Sequence, residues 1–203
     1  MNDTKDRPAM SDAPLDPRRT ALMLMDLQGG IVGRFPGGDE VVTRASGALA
    51  RARAAGANVG WVRVAFRPED YDAVPAHNAR FASLRGVMDA DDPSTAIVSS
   101  LEIAADDIVV RKTRVGAFST TDLGQQLEQR GVDTLVLGGI STSGVMLSTV
   151  RDASDRDYRL FVVADLCADA DEEVHRVLLE KVFPSQATIV TTADLERLLP
   201  NRE

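Results

Sequence analysis

Short apolar runs alternate along this chain with longer segments of helical periodicity, and that alternation constrains the fold more tightly than anything else in the sequence. Residues 21–25, 58–65, 108–111, 135–137, 159–164 and 188–190 read as strands. Residues 39–55, 121–130, 144–156, 171–183 and 193–199 read as helices between and after them. In the first helix Val42, Ala45, Leu49 and Ala52 recur at spacings of three and four, and Gly56 follows as a stop. Gly131 closes the next one. Strands that are apolar throughout are buried on both faces, and strands alternating with helices form parallel sheets with helices packed on each side. The pattern predicts an α/β domain over residues 19–203, three-layer α/β/α, with a mostly parallel six-stranded Rossmann-like sheet. Ligands of such sheets sit beyond the carboxyl ends of the strands.

A chain of 203 residues suffices for one domain with a sizeable core. Its net charge of −8 argues against a nucleic acid partner, which requires a basic surface. A small anionic ligand is still compatible, because one pocket can be basic on an acidic protein. No apolar run reaches the ~20 residues of a membrane span, and residues 1–18 lack the apolar centre of a secretory signal. They read as a flexible arm, or as a segment docking on a neighbouring subunit. Cys167 is the only cysteine, so no intramolecular disulfide forms, and a cytoplasmic location is expected.

Three strand ends carry chemistry. The first run leads into Asp26-Leu27-Gln28-Gly29-Gly30. The third leads into Lys112, with Ala117 and Phe118 five and six residues further on. The fourth leads into Gly139-Ile140-Ser141-Thr142-Ser143-Gly144-Val145 and a helix containing Ser148, Thr149, Arg151, Asp152 and Ala153. A strand, a tight turn and a helix N-terminus together favour developing negative charge. In this order the three motifs resemble the isochorismatase-like hydrolase superfamily, the cysteine hydrolases, over roughly residues 19–199. The resemblance implies the isochorismatase-like fold, a catalytic Asp at position 26, a catalytic Lys at position 112, and a nucleophilic Cys six residues after Gly139. That last position holds Val145, which has no nucleophilic atom.

Each candidate residue also has a plainer reading. Asp26 can cap the sheet edge, or act as a general acid or base whose pKa is raised by burial and lowered by a lysine. Lys112 can be a solvated lysine, or the charge partner of Asp26 and an anion binder. Val145 can be a packing residue or an apolar wall against a substrate. Ser141, Thr142 and Ser143 suit turn bonds and an N-cap; as nucleophiles they lack a neighbouring histidine in the sequence. The N–H groups of Gly144 and Val145 are candidates for an oxyanion hole. Gln28, Phe35, Arg63, Arg67 and Phe118 are the candidate substrate contacts. Arg63, Arg67 and Arg80 can bind a carboxylate or simply be solvated, and the two phenylalanines can line a pocket or belong to the core. Cys167 reads as structural, and His77 and His175 as surface or packing residues. The metal-binding relatives carry an Asp-x-His motif that is absent here, so neither a metal nor another cofactor is expected.

The long segment from residue 67 to 100 contains Pro68, Pro75, Gly86 and Pro93 and is weakly periodic. It reads as a loop excursion with one short helix at most, placed to cover a site and govern specificity. The functional expectation is a metal-independent hydrolase that forms no covalent intermediate, as the Cys-less isochorismatases of the superfamily do. Asp26 would act with Lys112 on a small anionic metabolite. A catalytically silent metabolite binder and an amide or ureide hydrolase using activated water are the alternatives. By the same resemblance, a homodimer or homotetramer is expected.

Overall fold

The computed structural model describes residues 13–201. At its centre is a six-stranded sheet with strand order β3-β2-β1-β4-β5-β6. The strands are β1 (Thr20–Met25), β2 (Asn58–Val64), β3 (Ile108–Lys112), β4 (Thr134–Ile140), β5 (Arg159–Ala168) and β6 (Thr188–Val190). Every neighbouring pair is parallel. The parallel α/β fold expected from the alternation is the fold observed, in agreement with the isochorismatase-like fold that the resemblance implies.

The helices in chain order are α1 (Gly29–Val32), α2 (Gly38–Ala55), α3 (Pro68–Asp72), α4 (Ala79–Ala82), α5 (Leu123–Gln129), α6 (Leu147–Asp155), α7 (Glu172–Val177) and α8 (Leu195–Leu198). Each strand sends alternate residues to opposite faces, and this divides the core in two. Leu22, Leu24, Val59, Trp61, Val136 and Phe161 pack with α2 and α8. Met23, Met25, Val62, Ile108, Val110 and Leu137 pack with α5 and α6. α2 ends at Gly56, whose φ of 75° terminates the helix in the left-handed conformation that glycine tolerates.

Some boundaries differ from expectation. β5 runs on to Ala168, and its register against β4 shifts between Leu137 and Gly139, so the two strands realign before Gly139 meets Cys167. Cys167 is buried within β5, donating to Val163 O at 3.4 Å. The excursion holds two short α-helices, α3 and α4, and a 3-10 turn at Pro93–Thr95, where one short helix was expected. It carries its own small core of Phe66, Tyr71, Phe81 and Met88, with the Phe66 and Tyr71 rings stacked at 4.8 Å. These four residues lie too far apart in sequence for a periodic pattern to reveal them.

The expected N-terminal arm lies outside the described residues as far as residue 12. Beyond it Leu15 is buried and its N–H donates to Leu198 O at 2.8 Å, so the packed body begins there and not at residue 19. Among the described residues no helix is long and apolar enough to cross a membrane.

Gly139 pairs with Met25 across the β1–β4 ladder. A Cβ at Gly139 would fall inside contact distance of Met25 O and lie 2.8 Å from Met25 Cβ. The close approach that brings the ends of β1 and β4 together therefore requires glycine. Gly139→Ala should cost about 2 kcal/mol through overpacking, and differential scanning calorimetry should show a melting temperature lower by roughly 4–8 °C.

Candidate active site

By strict alternation Asp26 would continue Leu22 and Leu24 onto the α2 face. Its φ of 57° takes the chain out of the extended conformation at that residue, while its N–H still donates to Val62 O at 2.8 Å. The carboxylate consequently meets Lys112, which ends β3 on the other face. Lys112 Nζ donates to Asp26 Oδ2 at 2.7 Å and to Val115 O at 2.8 Å. β2 lies between their two strands, so the lysine spans two interstrand spacings, roughly 10 Å. Only a long side chain closes that gap.

The pair is almost completely removed from water, Asp26 being 5% exposed and Lys112 2%. Burial pushes the Asp26 carboxyl up to about 6, against the opposing pull of the Lys112 charge and hydrogen bond. Asp26 Oδ1 is buried and has no hydrogen-bond partner among the described residues. Buried carboxylate oxygens are ordinarily satisfied. One oxygen of this carboxyl is thus tied to the lysine, and the other is free to hold or pass a proton.

β4 ends beside this pair, and the turn after it is anchored away from Asp26, towards β5. Thr142 is fully buried; its hydroxyl donates to Ala168 O at 3.1 Å and lies 2.8 Å from His175 Nδ1. The Ser143 N–H donates to Asp169 Oδ2 at 2.6 Å. Ser141 O accepts the N–H groups of Gly144 and Met146, each at 3.2 Å. The Gly144 N–H is therefore spent on the turn, which corrects its expected availability to an oxyanion. Ser141 precedes the helical turn, but its side chain makes no capping bond. A Cβ at Gly144 would lie 2.6 Å from Ser141 Oγ, so glycine there leaves room for that hydroxyl. Val145 is 2% exposed and packs in the apolar cluster with Val150, Met146 and Ala117.

The remaining candidates separate from the pair. Gln28 is fully buried, with Nε2 donating to Val64 O at 2.9 Å and Thr95 O at 2.7 Å, and Oε1 accepting the Val64 N–H at 2.8 Å. Its amide is consumed by backbone and ties the excursion to β2, which leaves nothing for a substrate. Arg63 Nη1 reaches Thr95 O at 3.2 Å and Ala90 O at 3.4 Å, on the sheet face opposite Lys112. Arg67 starts α3, where its N–H donates to Asp70 Oδ2 at 2.8 Å. Phe35 packs at the edge of the α2-side core. Phe118 stacks on Tyr158 at 5.9 Å, with the Arg156 guanidinium 4.7 Å over its ring. It lines a cavity of about 610 Å³ with Arg19 and Asp133, which precede β1 and β4, and so faces the amino end of the sheet. Ala117 and Phe118 anchor the loop that carries Lys112: the Ala117 N–H donates to Thr149 Oγ1 at 3.1 Å. Arg80 and Arg114 lie over the Phe81 ring at 5.9 and 5.1 Å.

By sequence His175 reads only as a surface or packing residue, and Asp169 is not singled out. Their signal was topological. β5 lies next to β4, so residues just past its end must lie beside the turn that follows β4. Among the described residues no group of three His, Cys, Asp or Glu side chains is placed to hold a metal ion.

A family model, the isochorismatase domain, matches residues 20–194. The chain belongs to the isochorismatase family. YecD, an uncharacterized isochorismatase family protein of Escherichia coli O157:H7, is 34% identical over 192 residues, covering 89% of this chain and 96% of its own. The maleamate amidohydrolase of Pseudomonas putida is 29% identical over 182 residues, covering 87% of this chain and 85% of its own. A cysteine hydrolase from Pseudomonas syringae pv. phaseolicola superposes with a TM-score of 0.84 at 25% identity, over 91% of this chain and 94% of its own. The relatives of this chain thus include hydrolases of the isochorismatase family.

Two substitutions test these roles. Gln28→Ala removes the partner of three buried or half-buried backbone groups and should cost about 2 kcal/mol, seen as a melting temperature lower by roughly 4–8 °C. Lys112→Met removes what holds the Asp26 pKa down, so the carboxyl should titrate above 6 in a carbon-13 NMR titration. A carboxyl whose folded pKa exceeds its unfolded value is stabilising at low pH and loses that contribution as pH rises through the folded value. The Lys112→Met protein should therefore be closest to wild-type stability in acid and fall furthest behind it above pH 6.

Proposed function

We propose that this member of the isochorismatase family is a hydrolase that forms no covalent intermediate, using Asp26 as general acid and Lys112 as its charge partner on a small anionic metabolite. The observation that carries the reading is the unpartnered Asp26 Oδ1 in a carboxyl raised to about 6. A group with that pKa keeps a useful protonated fraction near neutrality, as a general acid requires. Val145, six residues after Gly139, offers no atom to form an acyl-enzyme. Lys112 has three N–H donors, two of them used on Asp26 and Val115, which leaves one for a substrate anion.

The reaction that suits these groups is vinyl ether hydrolysis. Asp26 transfers its proton to the terminal alkene carbon, leaving an oxocarbenium ion. Water adds to the cationic carbon and returns a proton to the Asp26 carboxylate. The resulting hemiketal breaks its bond to the ether oxygen, the hydroxyl proton of the hemiketal passing to that oxygen, which releases an alcohol and pyruvate. By resemblance, isochorismatases proper carry Gly at the position of Val145; the bulkier valine narrows the site on that side and should raise the KM for isochorismate. A second reading, amide hydrolysis by water that ionised Asp26 activates, draws support from the similarity to a maleamate amidohydrolase.

The test is pyruvate release from isochorismate by the purified protein, with Asp26→Asn alongside. The expected outcome is turnover that Asp26→Asn abolishes while circular dichroism stays unchanged. Unchanged kcat in that variant overturns the acid role. The kcat should fall as pH rises through about 6, because the protonated carboxyl is the donor. A kcat that rises through the same range instead supports Asp26 as base and the amide reading.

A further inference from the structure

The side of the β4 turn away from Asp26 contains a hydrogen-bonded chain that the catalytic reading leaves unused. His175, half-buried in α7, places Nδ1 2.8 Å from Thr142 Oγ1, and Thr142 Oγ1 lies 3.1 Å from Ala168 O at the end of β5. A histidine beside a threonine hydroxyl, at a turn where relatives place a nucleophile, invites reading the two as a base and its nucleophile. The proton count opposes it. The hydroxyl has one proton, and Ala168 O can only accept. If Nδ1 carried a lone pair, that one proton could serve the imidazole or the carbonyl, and the other contact would lose its hydrogen bond. If Nδ1 carries a proton, both contacts are made: Nδ1–H to Thr142 Oγ1, and Thr142 Oγ1–H to Ala168 O.

We propose that His175 is a positioning residue for the β4 turn, its Nδ1–H committing the Thr142 hydroxyl to Ala168 O and clamping the turn between β5 and α7. The arrangement fixes the tautomer. The neutral ring bears its lone pair on Nε2, and protonation there leaves the contact to Thr142 intact. Thr142 Oγ1 is then neither deprotonated by His175 nor exposed to substrate, since Thr142 is fully buried. The adjoining bond from the Ser143 N–H to Asp169 Oδ2 holds the next residue of the turn on the same side. The two anchors together set where Ser141, Gly144 and Val145 stand relative to the end of β1. The catalytic consequence rests on the hydrolase reading above; the clamp does not.

Three measurements test it. Two-bond proton–nitrogen NMR correlations on the wild-type protein report the tautomer. A proton on Nδ1 is expected, and an unprotonated Nδ1 in the neutral ring overturns the proposal and restores the base–nucleophile pair. Amide hydrogen exchange then compares His175→Ala, His175→Gln and His175→Asn. The Asn side-chain nitrogen falls where Nδ1 stands and the Gln nitrogen where Nε2 stands. Exchange at residues 142–146 should quicken about tenfold in the Ala and Gln variants, as for loss of one turn-closing hydrogen bond, and stay near wild type in the Asn variant. Equal exchange in all three variants overturns the clamp, whether or not the protein hydrolyses anything. On a substrate that the wild type turns over, kcat should fall about tenfold in the Gln variant, since small misplacements of a site are costly. It should recover in the Asn variant, with KM little changed. Loss of activity in Asn and Gln alike, with quickened exchange in Gln only, would leave the clamp standing and remove its catalytic consequence.

Discussion

The arrangement of this molecule turns on one buried ion pair. Taking a carboxylate and an ammonium out of water costs several kcal/mol each, and removing either partner leaves an uncompensated charge. Asp26 and Lys112 sit at the ends of β1 and β3, with β2 between them. Their contact therefore ties together the ends of two strands that are not neighbours in the sheet. The surroundings keep that geometry in place: Val115 O takes a second lysine proton, the Asp26 N–H is held by Val62 O, and Gln28 binds β2 to the excursion beside it. One carboxylate oxygen stays outside this network. Among the described residues the other buried side-chain atom without a partner is Gln186 Oε1, shortly before β6; Asp26 Oδ1 is the one that stands beside a buried cation at the carboxyl ends of the strands.

The turn after β4 shows the opposite economy. The Thr142 hydroxyl and the N–H groups of Ser143, Gly144 and Met146 are drawn into hydrogen bonds with Ala168, His175, Asp169 and Ser141, and Val145 joins the cluster that packs α6 onto the sheet. In a hydrolase with a thiol at that position the turn would present a nucleophile. Here it presents a wall. The proposed hydrolysis assigns the polar work at the carboxyl end of the sheet to the pair across from it, with α7 supporting the turn through His175.

How much of this was legible depended on distance along the chain. Asp26 and Lys112 stood out because each follows an apolar run that reads as a strand, and in a parallel sheet every strand end points to the same side. Gln28 and Phe118, candidate substrate contacts by sequence, lie away from the pair for a shared reason. Proximity in sequence to Asp26 and Lys112 says nothing about where a side chain points once the chain leaves the strand. Gln28 turned inward onto Val64 and Thr95, and Phe118 ran back to the amino end of the sheet to meet Tyr158. His175 was passed over because its partner Thr142 lies 33 residues away, and only the adjacency of β4 and β5 brings them together.

The sequence by itself determined the elements, the parallel sheet and the family, because these follow from local periodicity and from short motifs whose order along the chain is preserved. It also put Val145 six residues after Gly139, the position that the resemblance gives to a nucleophile. Tertiary structure alone decided which charges meet, which amides are consumed by backbone, and which face each arginine occupies. Those outcomes depend on strand order, on the positive φ at Asp26 and on burial. All three are properties of the assembled sheet: a single strand end has no inside until its neighbours are in place.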